Sequence, residues 1–257
     1  GDAQETLKDG TKVMNNKNLD FTKAMHYVLG YTNSITNDLV FKSEVYYQDL
    51  YDVPILPNDS STFSALNASD GFMPSKLINK GTGENYGLEM TLEKFFTKSY
   101  NFTFTTSLYN STYKTLTGKT YNTKYNGNYV FNLLGGKEIA LSKKNDKVRI
   151  VTLGAKATYA GGQRYSPINL QKSIKANNTV RDETNPWTLK RDDYFVVDAR
   201  IELRTELKKI THYWEIEIQN LTNNKIVGDD YFNKTTQSIQ KVRNIGIIPV
   251  LSFRIEF

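Results

Sequence analysis

The chain contains no cysteine and only two histidines, His26 and His212. Without cysteine there is no disulfide framework and no thiolate metal site. Two histidines alone argue against a zinc site and against a histidine-based catalytic triad. We therefore expect no metal, no cofactor and no disulfide-stabilised secreted domain.

The sequence also lacks any apolar run of about 18 residues, so it encodes no transmembrane helix. Apolar residues make up 39% of the chain, and its mean hydropathy is −0.53. A transmembrane β-barrel has a similar average, because its strands alternate apolar residues toward lipid with polar residues toward the lumen. The 17 tyrosines and 13 phenylalanines fit strands or the aromatic girdles of a barrel. Composition alone leaves a soluble β-protein and a barrel both open.

A run of about five or more basic residues is missing as well, although the net charge is +6. The lysines and arginines are spread over turns or alternate along predicted strands, as Arg200, Arg204 and Arg254 do. This distribution is typical of a solvated surface, and we expect no nucleic-acid partner.

The first residues, GDAQETLKDG, contain neither an initiating methionine nor the basic and apolar regions of a signal peptide. We interpret the chain as an excised or mature fragment.

Alternating apolar and polar residues predict a series of long strands, and no long window has helical periodicity. The strands are expected at 21–34, 39–55, 85–96, 100–114, 128–141, 147–165, 193–207, 211–223 and about 242–257.

The connections between these strands fall into two alternating sets. Very short connections lie near 35–38, 97–99, 142–146 and 208–210. Long polar connections lie at 56–82, 115–127, 166–192 and 224–241. Outer-membrane barrels have short periplasmic turns and longer extracellular loops, whereas a soluble sandwich gives no reason for this regularity.

Each predicted strand has two different faces. Between 194 and 207, for example, Ile201 and Leu203 face one way, and Glu202 and Arg204 face the other. A soluble sheet with one face in a core has the same pattern. Several strands, however, reach about fourteen to eighteen residues, against a usual strand of about five or six. Such lengths favour strands that cross a bilayer and project beyond it.

Several segments resemble the carboxy-terminal half of a TonB-dependent outer-membrane receptor of the type common in Bacteroidota-like bacteria. The residues that carry the resemblance are ENYGLEMTLEKFF (84–96), NLLGGKEI (132–139), YAGGQRYSPINLQKS (159–173), YFVVDARIEL (194–203), YWEIEIQNLTN (213–223) and the final IIPVLSFRIEF. The earlier YYQDLYDVPI (46–55) agrees with it.

The resemblance implies an all-β, antiparallel, up-and-down barrel of the 22-stranded class with a plug in its lumen. Such receptors import a scarce, bulky nutrient, such as a ferric siderophore, cobalamin or an oligosaccharide, and the TonB complex supplies the energy. The chain has only about nine predicted strands and no plug. Residues 1–257 are therefore expected to form the C-terminal portion of a longer receptor in the outer membrane of a Gram-negative bacterium.

Two alternatives remain open at this stage. One is a soluble β-sandwich that binds carbohydrate, and the other is an outer-membrane adhesin or enzyme barrel. The transport receptor is the preferred interpretation, and it is not an enzyme.

No arrangement of residues indicates catalysis. Glu89 and Glu93 share a strand face, as do Glu215 and Glu217, and paired carboxylates can cleave glycosides. A ladder of lumen-facing charges with basic partners on neighbouring strands explains them more simply. The polar residues expected toward the lumen are Lys42, Glu44, Glu89, Asp198, Arg200, Glu202, Arg204, Glu215, Glu217 and Arg254.

Ligand contacts in this family come from long loops, plug and upper barrel wall. The loop aromatics that could contact a small-molecule or glycan ligand are Tyr121, Tyr125, Trp187, Tyr231 and Phe232. The resemblance also implies that an aromatic-ended last strand, here with Phe253, Ile255 and Phe257, is recognised by the barrel-assembly machinery. The expected partners are thus outer-membrane lipid, this machinery, the unidentified ligand, and the TonB complex through the missing N-terminal part. Gly161 and Gly162 are expected to permit a bulge or turn.

Overall fold

A computed structural model describes residues 3–6, 9–68, 75–144, 147–225 and 227–257 of the chain. In chain order, its strands are β1 (Ala3–Thr6), β2 (Lys12–Asn15), β3 (Lys23–Thr36), β4 (Leu39–Ile55), β5 (Ile78–Thr97), β6 (Tyr100–Lys114), β7 (Thr120–Asn122), β8 (Tyr129–Lys144), β9 (Lys147–Ala160), β10 (Arg164–Tyr165), β11 (Leu189–Lys190), β12 (Tyr194–Glu206), β13 (Thr211–Gln219), β14 (Val227–Asn233), β15 (Ser238–Arg243) and β16 (Ile248–Glu256).

Nine of these strands form one antiparallel sheet in the order β16-β13-β12-β9-β8-β6-β5-β4-β3, and the short β7 pairs with β6 beside them. Each long strand pairs with the next long strand along the chain, so the sheet is an up-and-down meander. The prediction of an all-β, antiparallel, up-and-down architecture is confirmed. Within the described residues the sheet is open, with β3 and β16 as its two edges.

The strand bounds agree best where a short turn joins two clearly alternating segments. β4 and β6 begin and end at the predicted residues. β5 begins earlier than predicted, at Ile78, because INKGTGE continues the pairing with β4 despite its polar composition. β9 ends at Ala160 rather than at 165, since Gly161 and Gly162 leave the ladder there.

The connections alternate as predicted. The end of the sheet with the short connections is the turn end, and the end with the long connections is the loop end. Turns at 37–38 and 98–99 are tight, and β12 and β13 are joined by 207–210. The predicted turn 142–146 includes residues 145 and 146, which lie outside the described residues, as do parts of the predicted loops 56–82 and 224–241.

The long connections contain short elements that the sequence pattern did not predict. They are a 3-10 turn at Ala65–Asn67, strands β7, β10 and β11, the helix α1 (Leu170–Ala176) and the hairpin β14–β15. Helix α1 begins after Asn169, whose side chain accepts from the Lys172 N–H, and ends at Asn177 in a left-handed conformation. No helix in the described part of the chain is long and apolar enough to cross a membrane.

The buried core lies at the loop end and not on either face of the sheet. Its apolar members are Val53, Ile55, Leu77, Tyr113, Ala160 and Phe232. Large apolar side chains along the sheet, in contrast, are mostly exposed; Leu29 and Leu251 are each 77% exposed. The sheet is therefore a two-faced layer, and its packed structure is confined to the loop end.

Candidate functional site

All ten polar residues predicted to face a lumen lie on one face of the sheet, here called the polar face. The pairing shows this directly: Glu44 lies opposite Glu89, and Glu202 lies opposite Glu215. The strands between β5 and β12 connect the two pairs: Glu89 is aligned through β6, β8 and β9 with Tyr194, which shares the face of Glu202. Residues opposite each other in a ladder share a face, so the other polar-face residues follow in the same way.

Oppositely charged side chains on neighbouring strands pair across the polar face. The Lys42 ammonium lies 3.3 Å from Glu93, and the Arg200 guanidinium lies 3.5 Å from Glu215. Arg254 lies 3.3 Å from Glu256 on its own strand. These pairs are half-exposed or exposed, so each contributes at most about 1 kcal/mol. The face is a mixed-charge surface of weak pairs.

Arg204 gathers carboxylates near the turn end of the polar face. Its guanidinium lies 3.1 Å from Glu206 and 3.9 Å from Glu138, which is two strands away on β8. Glu202, on the same strand, is directly opposite Glu215. Like charges at such positions destabilise a sheet unless cations lie beside them, and Arg200 and Arg204 provide these.

The opposite face, here called the apolar face, carries aromatic rows that shift along the sheet. Toward the loop end, Tyr47 lies opposite Tyr86, which is aligned with Asn110 of β6. On β12, Phe195 is aligned instead with Thr106, four residues before Asn110. Since β5 and β12 are four strands apart, the row moves by about one residue per strand.

A second aromatic row, toward the turn end, shifts in the same direction. Phe41 of β4 is aligned with Val197 of β12. Trp214 and Phe253 stack with ring centroids 4.3 Å apart and are aligned with Leu203, six residues beyond Val197. β4 and β13 are six strands apart, so this row also moves by about one residue per strand.

The predicted assembly residues belong to the apolar face of the last strand. Phe253 packs on Trp214, and Ile255 lies opposite His212. Phe257 follows the end of β16 and is fully exposed. These three side chains are thus presented to the surroundings of the sheet.

The long connections pack together into one unit at the loop end, here called the loop cap (residues 56–68, 115–128, 161–193 and 227–243). The Thr62 hydroxyl donates to the Glu183 carbonyl at 2.7 Å. The Lys124 N–H donates to Asn67 Oδ1 at 2.7 Å, and the Phe232 N–H donates to the Thr179 hydroxyl at 3.0 Å. These bonds join all four segments of the cap.

Tyr113 anchors the cap to the sheet. Its side chain is buried, and its hydroxyl donates to the Thr62 carbonyl at 2.9 Å. Its ring packs against Tyr121 with centroids 5.5 Å apart. The neighbouring Asn126 is fully buried and donates from Nδ2 to Asn110 Oδ1 and Asn122 Oδ1. A paired polar network therefore replaces a purely apolar core beneath the loops.

Glycines allow three backbone segments to meet in the cap. A Cβ at Gly161 would overlap the Gly127 carbonyl oxygen, and a Cβ at Gly162 would overlap the Arg191 carbonyl oxygen. The Gly162 N–H donates to Asp193 Oδ1 at 3.1 Å. The pKa of Asp193 lies below its usual value, chiefly because the Tyr129 hydroxyl donates to its carboxylate. The Gly162 N–H and Lys190 lower it further. The two glycines thus serve a close backbone approach more than a turn.

Two arginines, which the sequence analysis did not single out, hold the β14–β15 hairpin to the cap. Arg191 forms a buried ion pair with Asp230 at 2.5 Å and stacks over Tyr165, with its guanidinium carbon 4.4 Å from the ring centroid. Arg181 lies 2.7 Å from Asp229 and also donates to main-chain oxygens. Breaking a buried pair by removing one partner costs about 3–5 kcal/mol, so this hairpin is firmly attached.

The five predicted loop aromatics occupy different environments within the cap. Tyr125 and Tyr231 are exposed, Tyr121 is half-buried against Tyr113, and Phe232 is only 4% exposed. Trp187 is half-buried, has a φ of 56° and lines a cavity. Phe232 is therefore part of the packing, and Trp187 lines a cavity between two segments of the cap.

The alternation of apolar and polar residues did not predict a charged cluster at the turn end. Lys94 lies on the apolar face yet is only 8% exposed, because its ammonium donates to Asp38 at 2.9 Å and lies 4.2 Å from the Tyr100 ring centroid. Hydrogen bonds from the hydroxyls of Thr36 and Thr97, together with Lys94, hold the pKa of Asp38 well below its usual value. The cluster keeps a lysine charge satisfied at the margin of the apolar face.

Among the described residues, no group of three or more histidine, aspartate or glutamate side chains could hold a metal ion. Glu93 pairs with Lys42, and Glu215 pairs with Arg200, which is the ladder arrangement expected of these carboxylates. A comparison of the chain with protein-family models gives no match, and a comparison with curated proteins gives none either.

Proposed function

We propose that this chain is the C-terminal portion of the β-barrel of a TonB-dependent receptor, which actively imports a bulky nutrient across the outer membrane of a Gram-negative bacterium. One observation carries the proposal: the apolar face is uncovered across nine long strands, while the other face carries charged residues. Monomeric soluble proteins rarely expose apolar patches larger than a few hundred Å². Contact with the hydrocarbon of a lipid bilayer removes such an apolar face from water.

The stagger of the aromatic rows supports a tilted, membrane-crossing sheet. A shift of about one residue, or about 3.3 Å, for each strand spacing of about 4.8 Å corresponds to a tilt of about 35°. Strands of transmembrane barrels tilt by about 35–45°. In a soluble protein whose sheet packs against a core, nothing would place aromatic residues in two parallel rows inclined at this angle to the strands.

The height of the apolar band, measured along β6, is also suitable for a bilayer. On β6, Tyr100 begins the strand at the turn end, and Leu108 lies opposite Tyr129, the first residue of β8, toward the loop end. Eight residues at a tilt of about 35° span about 22 Å. The apolar band of outer-membrane barrels is about 25 Å tall.

The two edges of the sheet support a barrel that continues beyond these strands. In the described part of the chain, β3 pairs with β4 alone and β16 pairs with β13 alone. Open edges cannot remain in the hydrocarbon region, because their backbone groups would have no partners. Further strands of the receptor would pair with both edges, and a barrel of the 22-stranded class would close around a plug.

In this arrangement the loop cap faces the exterior and the short turns face the periplasm. The ligand binds at the outer loops, the TonB complex acts on the plug in the rest of the receptor, and the ligand passes through the polar lumen. Phe257 and the last strand would present the assembly signal at the periplasmic end.

The test is membrane integration of the full-length protein, followed by uptake. We expect flotation with outer-membrane vesicles, resistance to extraction by urea, and a gel mobility that changes on heating. A full-length protein that stays soluble without detergent would overturn the proposal and favour a carbohydrate-binding sandwich. An integral barrel without a plug domain would favour an adhesin or enzyme instead. For the transporter, uptake must stop when the TonB complex is deleted.

A further inference from the structure

The loop cap contains a cavity of about 270 Å³ between its first and third segments. Its lining includes Phe63, Asn67, Asp182, Glu183 and Trp187. Small-molecule pockets usually measure about 300–1,000 Å³, so this cavity holds one ring-sized group and not a whole oligomer.

A buried amide with an unsatisfied donor lines this cavity. Asn67 is 9% exposed, and its Oδ1 accepts from the Lys124 N–H, which fixes the orientation of the amide. Its Nδ2 is buried and has no hydrogen-bond partner. An unsatisfied buried donor costs about 1–3 kcal/mol, so a bound molecule that brings an oxygen within reach of Nδ2 would remove a penalty that the empty cap carries.

The charges around the cavity exclude an anionic occupant. Asp182 and Glu183 line it, and hydrogen bonds from Thr184 lower the pKa of Asp182, which keeps this carboxylate ionised. Arg181 also lines the cavity, but its guanidinium is already engaged by Asp229 and by the main-chain oxygens of Ser166 and Asp230. No free positive charge among the lining residues is left for a carboxylate, phosphate or catecholate.

Trp187 gives the cavity an apolar aromatic wall. The residue is half-buried and sits in a left-handed conformation, with its main-chain N–H donating to the Ser166 hydroxyl at 3.1 Å. A bulky residue at positive φ is uncommon, and here the surrounding cap holds it in place. An indole beside carboxylates and an amide suits a ring with apolar C–H edges and several hydroxyls. Sugar hydroxyls can donate to a carboxylate and accept from an amide N–H.

We propose that this cavity is the subsite for one uncharged sugar ring of a neutral oligosaccharide. The inference rests on the proposed function, because it names the substrate class of that receptor. It selects a neutral glycan from the broader set of nutrients and excludes polyanionic ligands at this position.

Calorimetric titration of the full-length receptor in detergent tests the subsite. The probes are the neutral hexasaccharides of glucose, xylose and mannose, and hexagalacturonate as an anionic probe of the same length. We expect at least one neutral probe to bind and hexagalacturonate to bind at least about tenfold more weakly. Asn67→Asp keeps the oxygen that accepts from Lys124 but removes the donor, and it should weaken binding by about tenfold.

Further substitutions complete the design. Trp187→Ala should weaken binding by about tenfold or more, whereas Trp187→Phe, which keeps an aromatic wall, should stay within about threefold. Leu170→Ala is the control, an exposed apolar residue of the same cap that does not line the cavity, and it should leave the affinity unchanged.

Vesicle integration of each preparation is measured alongside binding. If integration fails for the unsubstituted protein, the proposed function itself fails. If integration holds but no neutral probe binds, or if binding ignores both Asn67→Asp and Trp187→Ala, the subsite is refuted alone. Preferential binding of hexagalacturonate would refute it as well.

Discussion

Phe104 lies at the middle of the apolar band, which makes it the most informative place for a charge. It is four residues from Tyr100 at the turn end of β6 and four residues from Leu108, which lies opposite Tyr129. At a tilt of about 35°, the side chain is about 11 Å from either margin of the band. Its ring is exposed on the apolar face.

An arginine at the bilayer midplane of an outer-membrane barrel costs about 2–4 kcal/mol, and the cost falls to about 0–1 kcal/mol near the interface. We therefore expect Phe104→Arg to destabilise the folded receptor by about 2–4 kcal/mol and Leu108→Arg by less than about 1 kcal/mol. Thr105→Arg is the control on the polar face. Thr105 lies opposite Thr91, between Glu89 and Glu93 on the neighbouring strand, so an arginine at position 105 would have two carboxylates beside it. We therefore expect the free energy of unfolding to change by less than about 1 kcal/mol.

The assay is urea unfolding of the full-length receptor in phosphatidylcholine vesicles, read from its heat-modifiable gel mobility. The predicted difference between Phe104→Arg and Thr105→Arg is at least about 1 kcal/mol, which corresponds to at least about a fivefold difference in the folding equilibrium. Equal penalties at Phe104 and Leu108 would refute the reasoning, since a packed protein core has no dependence on depth. So would a larger penalty at Thr105 than at Phe104.

Two further perturbations test the loop cap and the turn end. Gly161→Ala should destabilise the cap by about 1–3 kcal/mol and expose it to protease, because the added Cβ overlaps the Gly127 carbonyl. Gly30→Ala is the control, since no atom lies within 4 Å of its added Cβ, and it should leave protease resistance unchanged. Equal protease resistance of the two variants would contradict the close approach at Gly161. Folding lowers the pKa of Asp38 below 3.8, so its contribution to stability is complete above pH 3.8 and is lost as the pH falls through the lower folded value. Thermal unfolding should therefore show Asp38→Asn as less stable than the unsubstituted protein at about pH 7, with the gap closing below about pH 3.8; a gap independent of pH would contradict the assignment.

The sheet was predictable because its determinants are local. In β4 and β6, strict alternation and a short flanking turn fix the strand and its faces together, so the bounds and the ten polar-face residues followed from spacing. Barrel closure, the transported nutrient and the partners of the receptor remain predictions of the resemblance.

The loop cap was not predictable, because its contacts join residues far apart in the sequence. The bond between Tyr113 and Thr62 spans 51 residues, and that between Thr62 and Glu183 spans 121. Phe232 looks like any loop aromatic in the sequence, and only these distant contacts bury it. The burial of Lys94 was missed for a similar reason. The alternation of the strand places this lysine among apolar residues, and its partner Asp38 lies in the turn before the neighbouring strand.

The joined segments of the loop cap restrict how such a surface can diversify. Because Thr62, Lys124, Thr179 and Phe232 link separate connections, an insertion in one connection displaces the partners that the other three supply. New binding preferences would then arise through single side-chain exchanges at the cavity wall, or through replacement of all four connections together. Chimeric receptors should accordingly exchange the cap as one block, with the strand ends that carry Tyr113 and Ile55 included.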